Sequence, residues 1–318
     1  EALAGLFDQV LRLCREAGLV KLGKVAVDGT KIKANASKHK AMSYDRMKLK
    51  EEVLQKEIRE LLQRAEAADR DEDQRFGPDK RGDELPAELA RRETRLKKIQ
   101  EAKAALEQQA RDKATAQGKD PDTARPEDKS QRNFTDPESK IQKTGDGFIQ
   151  GYNAQATVDD TFQVIVAQHV TPVGNDVKEL EPAVGNIERV LGDKPEIVLA
   201  DAGYWSQTNA EFLMREGIEG YIATGRQKHR EVTPPPPRGR PPGDMTLRER
   251  MARTLRTVKG KKLYARRKAI VEPVFGQIKQ ARGFRRFLRR GVTNVQQEWA
   301  LVCAAHNILK LRKAMALA

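Results

Sequence analysis

The first hydrophobic positions of the chain repeat with the period of an amphipathic helix. Within residues 2–17 apolar side chains recur at three- and four-residue spacings, and Gly18 follows them as a helix stop. The next segment, KVAVDGTKIKANAS, carries apolar residues on both sides of Asp28-Gly29. Because Asp-Gly is a common turn signal, this segment predicts a strand, a turn and a second short strand.

A long and highly charged helical pattern occupies the region from about Tyr44 to Ala114. Apolar residues recur there at helical spacing in two runs, separated by DRDEDQRFGPDKRGDELP. That segment contains Gly77-Pro78, which favours a break in the helix. The pattern predicts an antiparallel, coiled-coil-like helical hairpin, followed by a polar linker over 115–133.

Alternating strand patterns and helical periods return after residue 134. GYNAQATVDDTFQVIVAQHV predicts a two-stranded hairpin, and NDVKELEPAVGNIERVLG predicts a helix capped by Asn175 or Asp176. PEIVLADAGYWS is typical of a buried strand that ends at Asp201, and a helix and another strand follow it. Prolines exclude regular structure from 226–245, and helical patterns cover about 246–257, 262–288 and 294–314.

This order of elements predicts an α/β domain interrupted by a helical arm. We expect five segments: the first helix and strands, the hairpin with its linker, the α/β core, a proline-rich linker and the C-terminal helices, over 1–37, 38–133, 134–225, 226–245 and 246–318.

Charge is concentrated at one end of the chain. The formal net charge is +14, and residues 226–318 contain 24 Lys and Arg against 5 Asp and Glu. Such a region favours binding to a polyanion. A solvated helix normally interleaves acids with bases, but from Arg266 to Gly291 the single acid is Glu272.

Cysteine and histidine usage excludes a zinc cluster. Cys14 and Cys303 lie in apolar helical contexts and are predicted to be buried thiols, as in a reducing cytoplasm. The histidines show no ligand spacing, and His306 is predicted to be a core residue. No apolar run approaches the roughly 20 residues that span a bilayer, and no signal-peptide pattern opens the chain. The chain starts at Glu1 without Met, so we expect that an N-terminal portion precedes it.

Three carboxylates are candidates for catalysis: Asp28 and Asp201 at strand ends, and Glu272 at the start of a late helix. In open α/β sheets functional groups gather beyond strand ends, so Asp28 and Asp201 converge if their strands are neighbours. Converging carboxylates without His or Cys describe a site for Mg²⁺ or Mn²⁺. Two structural alternatives stay open. Asp28 before a glycine is also a turn former, and Glu272 before Pro273 is also a favourable helix N-terminal acid.

Five motifs in a fixed order favour the catalytic interpretation of these acids. They are VAVDGTKIKANAS, GYNAQATVD, VLADAGYWS, IVEPVFGQIKQARGFRRFLRRG and EWALVCAAHNILKL. In this order they resemble the transposases of bacterial insertion sequences that carry an RNase H-like DDE catalytic domain, in the branch whose second acid stands in Asp-Ala-Gly-Tyr. The resemblance implies a mixed α/β sheet flanked by helices and interrupted by the helical hairpin. It implies Asp28, Asp201 and Glu272 as catalytic residues and as ligands of two divalent metal ions, Mg²⁺ or Mn²⁺.

The resemblance also implies residues that contact DNA. Lys279 matches the lysine of the family's E-x6-K pattern, which contacts phosphate near the cleavage point, and a straight helix would place it on the same face as Glu272, about 10 Å away. Tyr264 stands eight residues before Glu272 instead of the usual seven, and the related arginine is Arg267 or is replaced by Lys268. Together with the excess of cations, which suits phosphate contact, this predicts a DNA-binding set: Tyr264, Arg266, Arg267, Lys268, Lys279, Arg282, Arg285 and Arg286.

Several polar and aromatic residues have two open interpretations. Trp205, like Tyr204, either stacks on an unpaired base or packs at the sheet edge. Asp176 is either a fourth acid of the site or a helix cap. Asn153 and Gln155 either support a metal or phosphate or face solvent from a strand.

Metal-dependent cleavage and strand transfer at insertion-element ends is therefore the expected function. The partners would be terminal inverted repeats and target DNA, the enzyme a homodimer on DNA, and its location the cytoplasm, with the nucleoid and without a membrane. Two alternatives stay open: a related nuclease without strand transfer, and a truncated or inactive DNA-binding remnant or regulator.

Overall fold

The computed structural model of the chain describes residues 2–76, 87–225 and 235–316. Two compact units form, one from residues 36–140 and one from the residues before and after that segment. The elements follow in this order: α1 (Ala2–Glu16), β1 (Lys24–Lys33), β2 (Ala41–Ser43), α2 (Tyr44–Phe76), α3 (Ala87–Ala116), β3 (Gln131–Asn133), β4 (Lys140–Thr144), β5 (Gly147–Asp159), β6 (Ile165–Thr171), α4 (Leu180–Leu191), β7 (Ile197–Ala200), α5 (Gln207–Arg215), β8 (Glu219–Ile222), α6 (Leu247–Arg256), α7 (Val258–Gly276) and α8 (Val292–Met315).

In the unit of residues 36–140, α2 and α3 pack through an apolar cluster. Tyr44, Met47 and Leu54 of α2 meet a matching set on α3, namely Ile99, Ala102 and Leu106. Ion pairs join Glu51 to Lys103 and Glu57 to Arg92. Partners early in α2 therefore lie late in α3, and the two helices run antiparallel. The helix α2 extends through Phe76, so the predicted break does not begin at Asp69, and its remainder, 77–86, lies outside the described residues.

A mixed sheet forms the centre of the other unit. The strand order is β4-β5-β1-β7-β8, and β6 also pairs with β5. The pairs β1–β5 and β5–β6 are antiparallel, whereas β1–β7 and β7–β8 are parallel. Helices α7 and α8 pack against strands of this sheet. The fold is therefore α/β, with β1 between an antiparallel and a parallel neighbour.

The predicted turn at Asp28-Gly29 was wrong. β1 is one strand that pairs with β5 without interruption from Val25 to Lys33. The ladder satisfies the backbone on both sides of Gly29, and the chain passes close to neighbouring side chains there. A Cβ on Gly29 would stand 2.3 Å from Gln155 Nε2 and 2.7 Å from Asn153 Oδ1. This glycine serves close approach within a strand, not a turn.

The predicted helix over 262–288 was also wrong in extent. Helix α7 ends at Gly276, a π-helical turn covers Gln277–Ala281, and an extended segment follows. In that segment Phe287 N donates to Lys33 O at 2.8 Å. Glu272 and Pro273 lie inside α7, not at its start. Because proline has no N–H, the carbonyl of Ala269 loses its helical donor, and Gln163 Nε2 supplies a substitute hydrogen bond at 3.0 Å.

Several other predictions were confirmed. Helix α1 ends before Gly18, which has a left-handed φ of 73°. Cys14 and Cys303 are free and buried, and His306 is completely buried in α8.

The cap assigned to Asn175 or Asp176 was wrong, since α4 begins later, at Leu180. Residues 226–234 of the proline-rich linker lie outside the described part. No helix in the described ranges has the length and apolar character needed to cross a membrane.

Candidate active site

Asp28 and Asp201 stand at equivalent positions on two neighbouring strands. β1 and β7 pair in parallel with Val27 opposite Ala200, and the two aspartates are the residues that follow. Asp28 lies within β1, which continues to Lys33, so the predicted strand end at Asp28 was wrong. Asp201 directly follows β7 and accepts a 2.7 Å hydrogen bond from Gly203 N in a short helical turn. The parallel register therefore places the two residues side by side at the carboxyl end of β7, and open α/β sheets bind ligands beyond the carboxyl ends of their strands.

The environment of Asp28 disfavours the ionised form of its carboxyl group. Burial raises the pKa of this carboxyl to about 6, and the charge of Asp201 adds to the increase. Arg267 opposes both, because its Nη1 donates to Asp28 Oδ2 at 2.9 Å. The other oxygen, Oδ1, accepts from Gly29 N at 2.8 Å. Two carboxylates that repel each other in a partly desolvated site attract cations.

A third acid, Asp176, lies beside this pair. Its Oδ1 accepts from Asn153 Nδ2 at 2.7 Å and from Gln155 Nε2 at 2.6 Å, and Lys31 Nζ lies 3.9 Å from it. Asn153 and Gln155 are almost fully buried, so they do not face solvent. Because they alternate along β5, both side chains lie on one face of the sheet. Their spacing in the sequence was a usable signal for this network.

The carboxylate of Asp176 lies close to two glycines, Gly29 directly after Asp28 and Gly203 two residues after Asp201. A Cβ on Gly29 would stand 2.7 Å from Asp176 Oδ1, and one on Gly203 would stand 3.3 Å from Asp176 Oδ2. Tyr204 is completely buried and its hydroxyl donates to Gln155 Oε1. Tyr204 therefore packs in the core instead of stacking outside it. Trp205 is half-buried after the same turn, and its contact with DNA stays a prediction.

The third predicted acid, Glu272, does not take part in the hydrogen-bond network around the two aspartates. It is exposed on α7 and makes no hydrogen bond or ion pair with any described residue. At 3.6 residues per turn it lies roughly 140° around the helix from Arg267, while Ile270, Val271 and Val274 form the buried side. A π-helical turn begins at Gln277, between Glu272 and Lys279, so the two residues do not lie on the single straight helix that the prediction assumed. Lys279 is half-buried and donates to Lys31 O at 2.9 Å.

The predicted DNA-binding residues fall into two groups. Arg267 and Tyr264 join the acid pair: burial raises the pKa of Tyr264, Arg267 lowers it, and Asp201 and Asp28 raise it. The others lie elsewhere and have their own partners or solvent. Arg266 pairs with Asp160, Lys268 and Arg286 are exposed, Arg282 contacts His306 Nδ1 at 3.3 Å, and Arg285 Nε donates to Lys279 O at 3.1 Å.

The carboxylates of Asp28 and Asp201 fit a hard divalent cation. Carboxylate oxygens are the ligands that Mg²⁺ prefers, and it is commonly held by one or two carboxylates together with substrate phosphates. Asp28 and Asp201 supply two such carboxylates. Within the ranges that the structure describes, no group of three or more acidic, histidine or cysteine residues is placed to hold a metal ion.

Comparison with known proteins places the chain in a family. No curated protein matches it. A family model described as a transposase DDE domain matches residues 108–308. The match contains Asp201 and Glu272, begins after Asp28 and covers more than half of the 318 residues. The chain therefore belongs to the family of proteins with a transposase DDE domain.

Proposed function

We propose that this protein is a DDE transposase that cleaves DNA and transfers strands at the ends of an insertion element. Its expected substrates are terminal inverted repeats and target DNA, bound by a homodimer associated with the nucleoid. The observation that carries the proposal is the pair of carboxylates on neighbouring strands, Asp28 within β1 and Asp201 directly after β7, where Asp28 has a pKa raised to about 6 by burial and by Asp201. The mixed sheet with β1 between an antiparallel hairpin and two parallel strands supports the RNase H-like arrangement.

In this proposal Asp28 and Asp201 hold the divalent metal, Mg²⁺ or Mn²⁺. Bound there, the metal would activate a water or a 3′-hydroxyl and stabilise the leaving oxygen of an in-line displacement at phosphorus. Two ions are expected, with Glu272 as a third carboxylate. The protein's own residues orient this site: Asn153 and Gln155 fix Asp176 by two hydrogen bonds, and Asp176 in turn lies against Gly29 and Gly203.

Cations near the acids would bind phosphates. Nε of Arg267 is buried without a hydrogen-bond partner among the described residues, although its Nη1 binds Asp28. That guanidinium is a suitable donor for a nonbridging phosphate oxygen. Lys31 lies near the same acids, and burial lowers its pKa while Asp176 raises it. Both side chains would hold the scissile strand against Asp28 and Asp201.

A second candidate is a DNA-binding protein without catalytic activity, as in a remnant or an element-encoded regulator. The observation that favours it is the exposed position of Glu272 on the side of α7 that faces away from Arg267. A two-acid site would bind metal and DNA without completing the proposed three-carboxylate set.

Cleavage assays with acid variants distinguish the two candidates. Asp28→Ala, Asp201→Ala and Glu272→Ala are compared with wild type on supercoiled plasmid carrying the element ends, with Mg²⁺ or with EDTA. The transposase proposal expects metal-dependent nicking by wild type, loss of nicking in each variant and unchanged DNA binding. Joining of the 3′ end to target DNA separates a transposase from a nuclease. No cleavage by wild type under any metal, with binding unaffected by EDTA, would favour the regulator, and nicking retained in all three variants would refute the catalytic roles.

A further inference from the structure

Leu288 is an exposed hydrophobic residue held on a fixed backbone. The residue is 75% exposed, whereas its neighbour Phe287 is fully buried. The ring of Phe287 makes edge-to-face contacts with Tyr152 and Phe284, at centroid distances of 5.9 and 5.4 Å. The chain thus leaves the core at Phe287 and presents Leu288 immediately outside it.

The backbone of Leu288 is bound on both sides. Leu288 N donates to both carboxylate oxygens of Glu298, at 2.9 and 3.1 Å, and Arg289 N donates to one of them at 3.0 Å. Asn35 Nδ2 donates to Leu288 O at 2.6 Å. These contacts tie the segment to α8 and to the end of β1. Hydrogen bonds therefore hold the backbone of Leu288 in place, while its apolar side chain extends into solvent.

The surroundings of Leu288 are strongly cationic. Four exposed arginines flank it in the sequence, Arg285, Arg286, Arg289 and Arg290. The nearby acid, Glu298, is engaged by backbone N–H groups. A shallow cleft beside Leu288 is lined by Asn35, Leu288, Arg289, Arg290 and Asn294. A single leucine among arginines lacks the contiguous apolar area of a protein-binding patch. The positive charge of the surrounding arginines complements a polyanion.

We propose that Leu288 is a wedge that inserts between base pairs of DNA, while Arg289 and Arg290 bind the flanking phosphates. This inference rests on the proposed function for its partner, DNA, and adds a residue that distorts the duplex. Apolar wedges of this kind unstack a base step and bend the duplex at a cost that extra phosphate contacts offset. The segment pairs with Lys33, five residues beyond Asp28, which is roughly 17 Å along an extended strand. The wedge would therefore act several base pairs from the acid pair.

Binding to two duplexes tests the wedge. The probes are a 24-base-pair duplex of arbitrary sequence and the same duplex with one central mismatch, measured by fluorescence anisotropy in EDTA. A mismatch has already lost part of its stacking, so wild type should bind it at least about fivefold more tightly. Leu288→Ala should remove this preference. Val258→Ala is the matched control, because Val258 is 76% exposed and lies outside the arginine cluster, and it should keep the preference.

Two further variants separate the wedge from general DNA binding. Arg290→Ala should weaken binding to both duplexes alike and reduce the slope of log Kd against log salt by about 1. Glu298→Ala removes an acid and frees the turn, so it should bind both duplexes more tightly yet lose the mismatch preference. If Leu288→Ala keeps the wild-type preference, or wild type shows none while Arg290→Ala still changes the salt slope, the wedge is wrong and DNA binding stands. If wild type binds neither duplex, the proposed function fails first.

Discussion

Arg267 binds Asp28 directly, with 2.9 Å between Nη1 of the guanidinium and Oδ2 of the carboxylate. The two residues come from α7 and β1, so the contact ties the late basic helix to the first strand of the sheet. The contact also affects the ionisation of Asp28. Burial and Asp201 raise the pKa of Asp28, and Arg267 is the side chain that restrains the increase.

Removing this guanidinium should make Asp28 harder to ionise. In metal-free Arg267→Ala we expect the pKa of Asp28 to rise above its value of about 6, because the attraction that favours the carboxylate is lost. Carboxyl carbon NMR titration of the metal-free protein measures this directly. Arg266→Ala is the matched control, since Arg266 pairs with Asp160 instead. An unchanged Asp28 titration in Arg267→Ala would mean that the contact does not persist in solution.

Gly29 should tolerate no side chain. In Gly29→Ala the new methyl group would stand 2.3 Å from Gln155 Nε2 and 2.7 Å from Asp176 Oδ1, so the network around Asp176 must move. We expect a loss of about 1–3 kcal/mol in the free energy of unfolding, measured by urea titration. Gly185→Ala is the control: it lies inside α4 with nothing within 4 Å of the added Cβ, and should gain about 0.5–1 kcal/mol. Equal effects at both sites would contradict the close packing at Gly29.

Asp176 should matter for cleavage more than for DNA binding. Asp176→Asn keeps an oxygen that can accept from Asn153 and Gln155, but it removes the charge that faces Lys31. Because Asp176 raises the pKa of Lys31, that pKa should fall in the variant. The uncharged side chain would replace the carboxylate that lies against Gly29 and Gly203. The resulting shift of Asp28 and Asp201 should lower the cleavage rate by about ten- to hundredfold.

The measurement for Asp176 is single-turnover cleavage together with DNA affinity. Asp146→Asn, at an exposed turn, is the control and should leave both unchanged. A variant that loses affinity in proportion to rate would show that Asp176 serves binding, and a variant with wild-type rate would remove it from the site.

Much of the sheet could be predicted from the sequence, because alternation and apolar runs report burial directly. The strand that ends at Asp201 and the hairpin around Asp159-Asp160 are examples. The turn assigned to Asp28-Gly29 failed because the same dipeptide serves close approach in a strand, and only the nine-residue pairing with β5 distinguishes the two. Local propensity contains no information about that distant partner.

Part of the candidate site could also be predicted from the sequence. A resemblance in motif order selected Asp28 and Asp201, and the parallel register then places them side by side on neighbouring strands. The side chain face of Glu272 could not be derived, since the helix around it keeps Pro273 in its interior and ends in a π-helical turn. The hydrogen bond from Gln163 to Ala269 O that accommodates the proline comes from another element. The Asp176 network likewise depends on contacts between loop and strand that no short motif encodes.

Two buried groups should give the stability of the metal-free protein opposite pH dependences. Burial and Asp201 raise the pKa of Asp28 from 3.8 to about 6. Burial, with Arg282 and Lys310, lowers the pKa of His306 from 6.5 to about 4. The neutral imidazole fits its contacts, because Nε2 donates to Gln163 O at 2.9 Å while Nδ1 accepts from Arg282.

The signs of the two contributions follow from proton binding in the folded and unfolded states. Between pH 4 and 6 folded Asp28 keeps a proton that the unfolded chain releases, so its contribution to stability falls as pH rises. Over nearly the same range folded His306 lacks a proton that the unfolded chain binds, so its contribution rises with pH and is lost as pH falls toward 4. Each amounts to about 3 kcal/mol across its window, and in the wild type the two largely cancel.

Single variants should therefore expose the two slopes separately. In EDTA, the free energy of unfolding of Asp28→Asn should increase as the pH rises from 4 to 6.5. That of His306→Gln should decrease as the pH rises from 4 to 6. The double variant should return to the shallow dependence of wild type. Urea titrations at half-unit steps of pH measure the free energy of unfolding, and Asp146→Asn serves as the control for a surface acid. The slopes are the readout, so an overall loss of stability in His306→Gln does not obscure them. Parallel curves for Asp28→Asn and His306→Gln would show that these two groups do not titrate as their burial requires.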